Sequence, residues 1–262
     1  MSSARTASRV SSRSRVCTGD GWGGWAGVEH LGDAPIVHKS PLSAAVDPPE
    51  FRRTIGTPGH AAMMHLRWAT LGLPVELHNA HPFRSGDVSF EHNGSLKPID
   101  KARAMLSPEA LARMTGDTDS EMYFVLIQEQ LAAGLSLPEA TLQVARRLRE
   151  AFPLSSLNAI LLDRQQLVAV HASARSVLPD DDLEEIAQLG GLPDEHNEDY
   201  FALRWKRSAD GTLQISSTGG GGEGLDAAAS RVRHDRSAGR RHDAHRIHRR
   251  PPPPPPHDRL SG

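Results

Sequence analysis

The order of elements in this chain predicts an α+β layered fold, with strands on either side of a helical stretch. Three observations carry that expectation. Strand-like segments come first, capped helical segments follow, and two hairpin patterns come after them. A parallel sheet would instead alternate strand and helix along the whole chain.

The elements follow in sequence. Ala62–Thr70 (AMMHLRWAT) and Val88–His92 (VSFEH) read as short strands, each ending at a polar or turn-like site. Thr118-Asp119-Ser120-Glu121 has capping-box spacing and opens a helix that runs to Ala133, with Gly134 as its stop. Ser136-Leu137-Pro138-Glu139 repeats that spacing. After it, Leu137, Thr141, Val144, Ala145, Leu148 and Phe152 recur at helical intervals until Pro153. Ser155–Leu162 and Gln166–His171 form a hairpin across a polar turn, and Tyr200–Lys206 and Thr212–Ser217 form a second around Ala209-Asp210-Gly211.

Charge divides the chain more sharply than its total suggests. The 262 residues hold 30 Lys+Arg against 32 Asp+Glu, a net charge of −2. Residues 1–16 carry four Arg and no acid, and residues 231–262 carry nine Arg against three Asp. Between them lie 17 basic and 29 acidic residues. An acidic body argues against nucleic acid as the main ligand, since phosphate binding relies on clustered Lys and Arg. No apolar run approaches the roughly 18–20 residues of a membrane helix. The single cysteine, Cys17, excludes an internal disulfide and a cysteine-based zinc cluster.

Three regions are therefore expected: a disordered Ser/Arg-rich start (1–16), a body (17–218) and a disordered tail (219–262) that begins in glycine and turns Arg-, His- and Pro-rich. The tail cannot bury enough apolar surface to offset chain entropy. Its composition reads as translation of a GC-rich gene in a shifted frame; an arm for nucleic acid, a His-rich metal tract and a ligand for Pro-binding domains are the alternatives. The start resembles an organellar targeting peptide in its Arg and Ser content, or is simply a disordered end. It lacks the apolar segment of a secretory signal, so a cytoplasmic location is expected.

Within the body, four segments have more order than structure alone requires: Gly19-Asp20-Gly21-Trp22-Gly23; His65-Leu66-Arg67-Trp68-Ala69-Thr70; His78-Asn79-Ala80-His81-Pro82-Phe83 with Glu91-His92-Asn93-Gly94; and Gly116-Asp117-Thr118-Asp119-Ser120-Glu121. In this order they resemble the class II glutamine amidotransferase domain over roughly residues 19–218, and most of all its small stand-alone bacterial members, which include the ergothioneine-pathway amidohydrolase. The resemblance implies the αββα four-layer sandwich of the N-terminal nucleophile hydrolases, and glutamine or a γ-glutamyl amide as substrate. It implies no cofactor and no metal, and any transfer of ammonia would involve a separate synthetase chain.

The same resemblance assigns roles. The Arg67 guanidinium would hold the substrate carboxylate as a fork, with a further bond from the Thr70 hydroxyl; otherwise Arg67 makes a surface ion pair. The Asn93 side chain and Gly94 N–H would form the oxyanion hole, a kind of donor worth about 2.7–4 kcal/mol; otherwise Asn-Gly marks a plain turn. Asp119 would pair with the substrate ammonium while Thr118 and Glu121 cap the helix. Trp22, His81 and His92 are expected in or behind the pocket wall, and the histidines are not metal ligands, since no carboxylate stands at ligand spacing.

One part of the family pattern is absent. The resemblance implies a nucleophilic cysteine at the mature N-terminus, attacking the amide with its own amino group as base. The chain starts Met1-Ser2-Ser3, and Cys17 stands two residues before Gly19, where the family has a loop. Cleavage after Val16 would expose it, but the activated setting a reactive thiol needs is not evident. The expectation is an enzyme-like domain with impaired catalysis, or a non-catalytic amino-acid-binding protein.

Overall fold

The computed structural model describes residues 23–40, 48–66, 76–178 and 200–217, with the backbone alone of 223–224 and 229–233. A three-stranded sheet opens the described chain: β1 (Gly23–Val28) lies between β2 (Ile36–Ser40) and β3 (Ala61–His65), antiparallel to both. Helix α1 (Pro48–Ile55) joins β2 to β3. The expected strand 62–70 is present through His65 and then leaves the described residues.

No strand is expected over residues 23–28 from sequence, yet β1 is the central strand of this sheet. Glycine-rich GGWAGV has little intrinsic strand preference. Packing demands the small residue, because a Cβ on Gly24 would lie 2.4 Å from the His38 carbonyl and 2.7 Å from that of His81. The backbone therefore passes closer to its neighbours than any side chain would permit.

A second antiparallel sheet contains β4 (Phe83–Ser85), β5 (Val88–Asn93), β6 (Asn158–Leu162) and β7 (Gln166–Val170), in the order β7-β6-β5-β4. Between β5 and β6 run the short helices α2 (Ile99–Arg103) and α3 (Pro108–Leu111) and the long ones α4 (Asp119–Ala132) and α5 (Leu137–Ala151). The β6–β7 hairpin matches its sequence pattern, with Asp163 Oδ1 accepting from the Gln165 and Gln166 amides in the turn.

Period-two alternation gives the larger sheet two different faces. On one, Phe90, Leu161 and Val168 pack against α4 and α5; the Phe90 ring stacks on Phe124, centroids 5.2 Å apart. Burying each such side chain contributes about 1.5–3 kcal/mol. On the other face, Ile160, Leu162 and Leu167 meet Ala26, Val28 and Met63 of the small sheet. Trp25, one step along β1 from Ala26, points the opposite way and packs on Phe51 of α1.

The second expected hairpin is formed by β8 (Arg204–Arg207) and β9 (Leu213–Ser216), closed where Ser208 N donates to Thr212 O. Two short strands depart from the expectation of a disordered tail after 218. β10 (Glu223–Gly224) pairs with β8, and β11 (Ala229–Arg233) lines the open edge of β7. A bare strand edge offers unpaired amides and carbonyls, so it accepts a segment whose composition could not support a core.

Candidate functional site

The expected site residues that the structure describes are Asn93, Gly94, Asp119, His81 and His92. Cys17, Trp22, Arg67 and Thr70 lie outside the described residues. The motifs at 78–83, 91–94 and 116–121, far apart in sequence, meet at one end of the larger sheet.

The turn after β5 holds the centre. Asn93 ends the strand opposite Asn158 of β6, and Gly94 follows it. A Cβ on Gly94 would lie 2.1 Å from the Ser156 carbonyl and 2.8 Å from His92 Nε2, so glycine is required by close approach. The Gly94 amide and the Asn93 side chain donate to no described residue, which leaves both available to a ligand.

The N-terminus of α4 faces this turn. Thr118 caps the helix, its Oγ1 accepting from Glu121 N at 3.2 Å. Asp119 is the first helical residue; its Oδ1 accepts from Ser120 N at 2.8 Å and its Oδ2 from Leu96 N at 2.5 Å. A carboxylate offers about four lone-pair positions, so two amides leave capacity for an ammonium group. The helix dipole adds a preference for negative charge at this end.

Glu121 departs from the capping-box reading. Instead of reaching back to the Thr118 amide, its carboxylate accepts from Thr115 N, Thr115 Oγ1 and Gly116 N at 2.7–2.8 Å. It thereby folds the loop before α4 under the helix. The 78–83 motif is tied to the same loop: Asn79 Nδ2 donates to Asp117 Oδ1 at 3.0 Å, and Asp117 N donates to Asn79 Oδ1 at 3.2 Å. Lys39 of β2 donates to Leu77 O at 3.2 Å and lies over the Phe83 ring. Burial lowers the Lys39 pKa, and the Glu121 charge opposes that shift.

His81 and His92 are both buried. The His81 ring lies 4.2 Å from that of His65, which links the 65–70 motif to the 78–83 motif. His92 is held at both nitrogens: Nδ1 lies 3.0 Å from Ser120 Oγ and Nε2 3.0 Å from the Ser156 carbonyl. Burial depresses its pKa below the ordinary value, against opposing pulls from Asp119 and the Ser156 carbonyl. Ser156 then donates from Oγ to Asn93 O at 2.7 Å.

Sequence reasoning did not single out Ser120 and Ser156. Ser120 reads locally as part of a helix cap and Ser156 as part of the strand expected over 155–162, and only the β5–β6 register places Ser156 beside Asn93. Glu91 was also missed as a buried group. It is one step from His92 on the opposite face of β5; its Oε1 has no hydrogen-bond partner, and burial pushes its pKa well above the usual carboxylate range. No three His, Cys, Asp or Glu side chains cluster for a metal ion among the described residues, and none of their helices is long and apolar enough to cross a membrane.

A family described as class II glutamine amidotransferases matches residues 8–183. A glutamine–fructose-6-phosphate aminotransferase (isomerizing) of Zymomonas mobilis is 38% identical over 100 residues, covering 38% of this chain and 16% of that protein. Its namesake from Vibrio vulnificus is 35% identical over 106 residues, covering 40% of this chain and 16% of that protein. The chain thus spans a small fraction of these relatives. A solved glutamine aminotransferase class-II domain protein from Silicibacter pomeroyi shares the fold, with a TM-score of 0.51 at 18% identity, covering 80% of this chain and 89% of that one.

Proposed function

The chain belongs to the class II glutamine amidotransferases, and from that premise we propose that residues 17–218 bind glutamine or a γ-glutamyl amide at the turn between β5 and α4. The observation that carries this reading is the hydrogen bond from Leu96 N to Asp119 Oδ2 at 2.5 Å. It ties Asp119, which would meet the amino group, to the loop two residues after Gly94, whose amide would meet the carbonyl.

In this reading, the substrate ammonium sits against Asp119 and its carboxylate against Arg67 and Thr70. The γ-carbonyl oxygen lies between the Asn93 side-chain amide and the Gly94 N–H. The Gly94 N–H is held before substrate arrives, because Ser156 Oγ anchors the Asn93 carbonyl of the same peptide, so it stabilises a developing oxyanion with little reorganisation. Hydrolysis then needs a thiol: its sulfur bonds to the amide carbon, the C–N bond breaks, the departing nitrogen takes up the thiol's proton and leaves as ammonia, and water cleaves the thioester to the carboxylic acid and the free thiol. Cys17 is the only thiol in the chain. We assign it the nucleophile's role only if processing exposes it; otherwise the domain binds without turnover. Where ammonia is transferred rather than released, a partner synthetase chain would receive it.

The four-layer sandwich is the finer fold we assign. It is supported by the three apolar contact layers, of α4 and α5 on the larger sheet, of sheet on sheet, and of Phe51 on Trp25. Calorimetry with L-glutamine and L-glutamate, run beside an ammonia-release assay, tests the proposal. Binding with turnover lost in Cys17→Ser supports the enzyme, binding without turnover supports the amino-acid-binding alternative, and absence of binding removes both.

A further inference from the structure

Asn93 O and Gly94 N–H belong to one peptide unit. That peptide is trans, since the cis bonds among the described residues are His81–Pro82 and Lys97–Pro98. In a trans peptide the carbonyl and the amide point in opposite directions in one plane. Whatever anchors Asn93 O therefore aims the Gly94 N–H.

The anchor is Ser156. It is almost fully buried, at 1% exposure, and its Oγ donates to Asn93 O at 2.7 Å. Its own carbonyl accepts from His92 Nε2 at 3.0 Å and lies against the Gly94 backbone on the side where a Cβ would be. Through Asn158 N, which donates to the same Oγ at 3.3 Å, Ser156 is tied to the first residue of β6. It grips the turn through both its side chain and its main chain.

The chemistry of the partners sets the direction of the chain of bonds. A backbone carbonyl only accepts, so His92 Nε2 carries the proton. Burial keeps the ring neutral, which leaves Nδ1 as an acceptor and the Ser120 hydroxyl as its donor. The relay therefore runs from Ser120 at the start of α4, through His92 and Ser156, to Asn93. Ser120 is the residue next to Asp119, so both ends of the proposed substrate are referred to one rigid helix end.

We propose that Ser156 is a positioning residue for the Gly94 oxyanion donor, acting on the Asn93–Gly94 peptide and steadied by Ser120 through His92. This rests on the reading of the turn as the γ-carbonyl site. It does not require an active nucleophile. L-Glutamate serves as the probe, because one oxygen of its γ-carboxylate occupies the place of an oxyanion.

The test combines calorimetry with NMR of the full chain. In the wild type, L-glutamate should shift the Gly94 amide proton downfield, and the His92 ring should show the neutral Nε2–H tautomer. Ser156→Ala should weaken L-glutamate about tenfold, the scale of one lost hydrogen bond, and remove most of the Gly94 shift. Ser156→Thr, which keeps the hydroxyl, should restore both. Ser120→Ala should change the His92 Nδ1 resonance and weaken L-glutamate to a lesser degree, an independent reading if Ser156→Ala does not fold. Wild-type affinity and Gly94 shift in Ser156→Ala, or an Nδ1–H tautomer of His92 in the wild type, overturns the assignment. Failure of the wild type to bind L-glutamate and L-glutamine overturns the underlying glutamine reading instead.

Discussion

The Asp119 carboxylate accepts from the Leu96 main-chain amide at 2.5 Å, fastening the first residue of α4 to the loop that follows Gly94. Asp119 thus joins a charge that a substrate amine can use to a bond that shapes the carbonyl side of the site. The two contributions are separable by substitution.

Asp119→Asn keeps an acceptor for Leu96 N and removes the charge. Glutamine affinity should fall by about 10- to 100-fold, the scale of a charge-assisted hydrogen bond, while the unfolding midpoint changes little. Asp119→Ala removes the acceptor as well and should cost about 1–2 kcal/mol of stability in addition. Calorimetry paired with urea unfolding separates the two. Equal stability of the two variants would show that the Leu96 bond contributes nothing.

Gly94→Ala tests the close approach of β6 to the turn. The added methyl would lie 2.1 Å from the Ser156 carbonyl, well inside van der Waals contact, so the peptide must move. We expect a stability loss of about 1–3 kcal/mol and no measurable binding of L-glutamate. A variant that binds normally would mean the turn has room that its geometry denies.

Glu121 is nearly buried, and its carboxylate accepts three hydrogen bonds from residues 115 and 116. Glu121→Ala leaves two amides and a hydroxyl without their acceptor. A loss of about 3 kcal/mol or more follows from bonds to a charged group, visible as a lower urea midpoint. Thr118→Ala, which removes only the cap, should cost about 1 kcal/mol. If the two losses are alike, Glu121 acts only as a helix-cap residue.

These contrasts show what was legible in sequence and what was not. Local patterns placed the start of α4 at Thr118, the amphipathic face of α5 and both hairpins, because caps, turns and periodicity depend on neighbours in the chain. Asn93, Gly94 and Asp119 came to notice through the resemblance of their motifs to the family, since locally they read as a turn and a helix cap. Ser156 was not legible, since its bond to Asn93 spans 63 positions and exists only through the β5–β6 register. The strand Gly23–Val28 was hidden for a related reason: Gly24 meets tight packing against residues 38 and 81, which a local preference cannot report. Glu121 lay between the two cases, its spacing marking the helix start while its carboxylate went to a loop that only the fold brings near.

Glu91 provides a prediction in pH. In Val88–Asn93 it occupies an alternating polar position beside Ile160, on the face turned to the small β1–β3 sheet, where it is buried with Oε1 unpartnered. Burial raises its folded-state pKa well above 4.5, so the folded chain keeps a proton that the unfolded chain releases. The stability associated with Glu91 is complete below about pH 4.5. It falls as pH rises towards the folded pKa, by up to about 1.4 kcal/mol per pH unit. Glu91→Gln has no proton to lose and escapes that decline. Its urea midpoint relative to wild type should rise as pH increases above 4.5 towards the raised folded pKa, whatever constant offset the amide introduces. A difference that stays flat across that range would mean Glu91 is ionised in the folded protein, with a counter-charge close to β5.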